Sequence, residues 1–97
     1  MPKFSNVVRV KVKEVYKEDY LKKIDQMPKY KGLLSVKLIE TGSNSYCMVG
    51  EWESENHIAK ARPQMIKFLD SIRPLLETIS PELGVTDPVS GPIIKEK

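Results

Sequence analysis

Few side chains in this 97-residue sequence can do chemistry, and most of them lie between Ser45 and Pro74. That stretch holds the only cysteine, tryptophan and histidine: Cys47, Trp52 and His57. His57 is a candidate general base near neutral pH. It also suits an exposed position three residues after Ser54, a residue able to cap a helix. With no second histidine or cysteine at ligand spacing, no metal site is expected. Cys47 has no activating neighbour and reads as a small hydrophobe. Asn6 shares strand parity with Val8, Val10 and Val12, and an amide on an apolar face must find a hydrogen-bond partner. That partner is either a loop backbone or a small polar ligand. Arg62 and Arg73 either bind an anionic substrate or pair with nearby carboxylates. No Ser-His-Asp set, phosphate loop or distinctively spaced carboxylate pair is present, so hydrolase and nucleotide-binding chemistry have no support.

The elements that must position these residues follow from periodicity. Residues 6–13 alternate apolar and basic and predict a half-buried strand. Tyr16, Tyr20, Ile24 and Met27 recur at helical spacing, and Pro28 and Gly32 end that helix. Residues 33–41 predict a second strand with Leu34, Val36 and Leu38 on one face. Thr41 to Asn44 is a turn by composition, and residues 45–53 return as a third strand. There Tyr46, Met48, Gly50 and Trp52 share a face, and Gly50 leaves a gap that admits either a neighbouring backbone or a ligand.

Ser54 then caps a helix whose stripe is Ile58, Ala61, Met65, Phe68, Leu69, Ile72 and Leu76. Pro63 interrupts the pattern, which predicts a short segment 55–62 and a main helix 63–78. The tail from Ser80 is rich in proline and glycine and is expected to be irregular. A weak last strand near 89–95 would pair with a sheet edge of the same subunit or of a partner.

Composition bounds the rest. At 40% hydrophobic and 30% charged residues the chain reads as one globular domain over residues 1–97. The net charge of +3 is spread, with lysines interleaved among carboxylates, so no nucleic-acid stripe forms. No apolar run approaches the ~18 residues of a membrane span. The opening residues lack the apolar core of a signal peptide, which makes the cytoplasm the expected compartment.

Strand, helix, strand, strand, helix, weak strand is an α+β, ferredoxin-like order: an antiparallel sheet with helices on one face. Val7, Ile39 and Val49 make the other face apolar too, which predicts a homodimer with sheets packed face to face. The early asparagine, the run Glu-Trp-Glu-Ser-Glu, the helix opening His-Ile-Ala-Lys-Ala and the tail Pro-Val-Ser-Gly-Pro together resemble the antibiotic biosynthesis monooxygenase-like family of dimeric α/β barrels.

That resemblance implies a pocket between sheet and helices in each protomer. Characterised relatives oxidise polycyclic phenols or quinols with molecular oxygen, using neither metal nor flavin, or cleave haem. Trp52 is similar to the strand tryptophan lining the pocket of the phenol-oxidising branch, where it would stack on a flat substrate and donate its indole N–H. The asparagine which those relatives carry four residues earlier is Met48 here. Asn6 matches a first-strand asparagine of the haem-cleaving branch, but Met65 to Leu76 holds no histidine to ligate haem. The resulting expectation is a cofactor-independent monooxygenase acting on a small aromatic phenol or quinol. Trp52, Asn6 and His57 would be catalytic, with Tyr46, Met48, Ile58, Met65 and Phe68 binding the substrate. A non-catalytic barrel holding a small apolar ligand is the alternative, favoured by Met48.

Overall fold

The computed structural model describes residues 2–97. Strand β1 (Phe4–Val12) leads through a 3₁₀ turn at Glu14–Tyr16 into helix α1 (Lys17–Asp25). Strands β2 (Leu33–Gly42) and β3 (Ser45–Trp52) form a hairpin turned at Ser43 and Asn44, and Asn44 takes the left-handed conformation (φ 60°) that asparagine tolerates well. Helix α2 (Glu55–Ile72), a second 3₁₀ turn (Arg73–Leu75), β4 (Leu76–Glu77) and β5 (Thr86–Pro92) complete the chain. The sheet is antiparallel in the order β2-β3-β1, and the far edge of β1 is shared by β5 along Phe4–Val10 and β4 along Lys11–Val12.

Several expectations need correcting. Pro63 does not divide the second helix, which runs unbroken from Glu55 to Ile72. The hydrogen bond that proline cannot make would go to the Ala59 carbonyl. Ala59 and Pro63 are both exposed, so solvent can satisfy that carbonyl. The helix also stops at Ile72 and not near 78. Pro74 again lacks the donor a further turn would use, and the chain extends at Leu76, which is buried against the sheet opposite Val12.

On β2 a bulge between Leu33 and Ser35 puts Leu33, not Leu34, on the face shared by Val36 and Leu38. Leu34 is consequently 47% exposed. The last strand begins three residues earlier than expected, at Thr86, and pairs with β1 of its own chain. As an edge strand it accommodates Pro88 and Pro92 without loss of ladder bonds.

The core lies between the helices and one sheet face, in two clusters. Val10, Val12, Tyr20, Tyr46, Ile72 and Leu76 form one, towards the end of β1. Phe4, Tyr30, Trp52, Ile58 and Ala61 form the other, at its beginning. The opposite sheet face carries a cross-strand row of Lys37, Val49, Val7 and Val89, followed by a row of Ile39, Cys47, Arg9 and Asp87 in which Arg9 is paired with Asp87.

Candidate functional site

Between the two core clusters, over the middle of β1, lies a cavity of about 530 Å³. That is within the range of small-molecule sites. Its floor is the sheet, through Asn6, Val8 and Val10 of β1, Met48 of β3, and Thr86, Pro88 and Ser90 of β5. The roof is α2, through Ile58, Met65, Phe68, Leu69 and Ile72, while Tyr20, Met27 and Tyr30 close one side. Its mouth carries Arg62 and Ile66, both exposed.

Strand parity delivers Asn6 to this floor with Val8 and Val10, and a bond beneath it fixes its direction. The Trp52 indole Nε1–H donates to Asn6 Oδ1 at 2.8 Å. An indole nitrogen only donates, so the carboxamide must present its oxygen to Trp52 and has its NH₂ left for other partners. Among the described residues nothing accepts from that NH₂, and Asn6 lines the cavity. Gly50 makes the contact possible: a Cβ there would overlap Asn6 Oδ1 and lie 3.3 Å from Trp52 Nε1. The gap noted on β3 is therefore filled by the Asn6 side chain.

Trp52 itself does not line the cavity. It is 1% exposed and stacks on Tyr30, ring centroids 6.1 Å apart, within the Phe4–Ala61 cluster. Its indole N–H reaches the cavity only through Asn6. Tyr46 is likewise absent from the lining; it stacks on Tyr20 at 5.4 Å in the other cluster. Met48, Ile58, Met65 and Phe68 are on the wall.

His57 lies away from the cavity. Its Nδ1 is 2.7 Å from Ser54 Oγ and its Nε2 is 3.4 Å from Glu53 Oε2. The ring also covers Gly32, whose positive φ of 86° favours glycine and whose missing side chain leaves the space the ring occupies. We expect His57→Ala to leave any ligand affinity of the cavity within about twofold of wild type, because it removes no lining group; a ligand titration checks this.

Two lining residues that sequence reasoning did not select are Tyr20 and Tyr30. Burial, and then the Tyr46 phenol, push Tyr20 up to about 12. Burial also raises Tyr30, whose hydroxyl has no hydrogen-bond partner among the described residues. Both phenols thus stay protonated at neutral pH and can donate but not act as bases. No cluster of His, Cys, Asp or Glu among the described residues could hold a metal ion, nor is any helix there long and apolar enough to cross a membrane.

The chain matches no protein-family profile and no curated protein sequence. Its fold, however, is shared with solved structures. SnoaB, a cofactor-independent oxygenase from Streptomyces nogalater, superposes with a TM-score of 0.71 at 14% identity, over 99% of this chain and 97% of that one. A provisionally named antibiotic biosynthesis monooxygenase from Bordetella bronchiseptica gives 0.76 at 12% identity, over 98% and 100%. A dimeric ferredoxin-like protein from an uncultured marine organism gives 0.72 at 15%, over 100% and 92%. The structural neighbours thus include antibiotic biosynthesis monooxygenase-like proteins of ferredoxin-like fold, and at these identities the likeness is one of fold.

Proposed function

We propose that the chain is a homodimeric, cofactor-independent oxygenase whose cavity takes a small aromatic phenol or quinol. The observation that carries this is the Asn6 carboxamide, held by Trp52 so that its N–H donors are available on a largely apolar wall. Donors fixed in a dry site stabilise negative charge on a ligand oxygen far better than water does. A phenolate is such a ligand, and it is the electron-rich form that reacts with oxygen. For a phenol oxidised to a quinone, one atom of O₂ becomes the new ring carbonyl. The other leaves as water, with one hydrogen from the phenol O–H and one from the ring C–H. The substrate is the sole reductant, so neither metal nor flavin is required by the balance.

The homodimer would cover the outer sheet face, where Val7, Val49 and Val89 form an apolar row. A dimeric structural neighbour supports this assembly. A second reading, a barrel that binds its ligand without transforming it, is favoured by one feature: among the described residues no carboxylate or histidine lines the cavity to accept the phenol proton.

Oxygen uptake with 1-naphthol and 1,8-dihydroxynaphthalene separates the two. The enzyme reading expects one O₂ consumed per quinone, one ¹⁸O atom incorporated from labelled O₂, and a rate lowered about a hundredfold in Asn6→Ala, the scale of losing an oxyanion donor. Saturable binding with no uptake above the protein-free rate would establish the second reading instead.

A further inference from the structure

We infer that Arg62 is an anion receptor at the mouth of the cavity, and that the ligand is an aromatic molecule carrying a carboxylate. This rests on the cavity being a site for an aromatic ligand. The three arginines of the chain are not equivalent. Arg9 is bonded to Asp87, with Nη2 to Oδ2 at 2.6 Å, and Arg73 to Asp70, with Nε to Oδ1 at 3.0 Å. Arg62 has no carboxylate partner among the described residues, and it is the arginine that lines the cavity.

Its isolation is built into the helix. Positions three and four residues away on α2 are Ile58, Ala59, Met65 and Ile66, none of which can pair with a guanidinium. Nor does any Asp or Glu among the described residues line the cavity, so no lining carboxylate compensates the positive charge at its rim. A low-dielectric cleft lined by charge of one sign concentrates ligands of the other. Guanidinium presents a planar fork that matches a carboxylate with two parallel hydrogen bonds, which favours this head group over a spherical anion.

The rest of the wall fits the body of such a ligand. Met48, Ile58, Met65 and Phe68 offer apolar surface, and exposed Ile66 (50%) continues it outwards beside Arg62. With its carboxylate at the rim and its ring inside, the molecule would place an oxygen at the inner end near the Asn6 donors. Arg62 thereby selects the substrate and sets its direction of entry, a role separate from the oxidation itself.

The test is isothermal titration with 2-naphthoate and its neutral counterpart 2-naphthylmethanol, on wild type, Arg62→Gln and Arg73→Gln. Wild type should bind naphthoate about tenfold more tightly, as expected for one charge-assisted pair at a partly exposed site. Arg62→Gln should lose that preference while binding the alcohol within about threefold of wild type, and Arg73→Gln should keep the preference. Arg62→Lys, which retains charge but not the fork, should keep only part of it. Equal binding of both probes by wild type overturns the inference and leaves the cavity as an aromatic site. So does a preference that survives in Arg62→Gln or is lost in Arg73→Gln. Binding of neither probe overturns both the inference and the aromatic site beneath it.

Discussion

Replacing Trp52 with alanine is expected to cost about 3–5 kcal/mol, the usual loss for truncating a fully buried aromatic. That is a large share of the roughly 5–15 kcal/mol by which small domains are stable, and at the lower end of that range it leaves little net stability. Two losses combine. The ring is 1% exposed and supports Tyr30, Phe4 and Ile58, so its removal leaves a void in their cluster. Its N–H is also the donor that holds Asn6. Trp52→Phe separates them, since it keeps much of the ring and deletes the donor. We expect it to fold with a loss of about 1–3 kcal/mol, the cost of an orphaned acceptor, and to reduce turnover by releasing Asn6. Urea denaturation of both variants checks the stabilities. An alanine variant within 1 kcal/mol of wild type would mean that Trp52 does not anchor this cluster.

Gly50→Ala should do nearly as much damage to the site with a single methyl group. Gly50 does not have a positive φ, so alanine meets no backbone penalty there. The cost comes from contact, because the new Cβ would overlap Asn6 Oδ1 and crowd Trp52 Nε1 at 3.3 Å. Forcing a group into a packed site typically costs about 1–3 kcal/mol. Turnover should fall to the level of Asn6→Ala, because the carboxamide can no longer hold its place. Combining the two substitutions gives the decisive comparison. Once Asn6 is alanine the Cβ has room, so the double variant should be more stable than the sum of single losses by about 0.5–3 kcal/mol. Strict additivity would show that Gly50 and Asn6 do not meet.

Much of this arrangement was legible in the residues, for reasons that also explain where legibility failed. Strand parity placed Asn6 with Val8 and Val10, and Met48 with Gly50 and Trp52, because a period of two leaves no freedom of face. The bulge at Leu34 broke that parity on β2, and nothing in Leu33-Leu34-Ser35 announces it. Leu76 fits a helical stripe as well as it fits a strand, and only its pairing with Val12 decides between them. Trp52 is expected in the pocket from its likeness to the strand tryptophan of the phenol-oxidising branch. The asparagine from the neighbouring strand comes between the indole and the cavity, and cross-strand register is not written locally. His57 was a candidate by chemistry; its position relative to Ser54, Glu53 and Gly32 turns it elsewhere. The isolation of Arg62 could have been seen, since its helical neighbours at three and four residues are all apolar.

One consequence concerns cooperativity. The hydrophobic core is divided, and the space between its clusters is the cavity, crossed by β1 and roofed by α2. Each half is small, and β1 and α2 run through both. A ligand seated there touches side chains of both and becomes the missing middle of the core. Occupancy would then fuse two local unfolding units into one. The slowest hydrogen exchange would spread from separate ends of β1 to its centre, so that a bound ligand would also complete the folding of the chain.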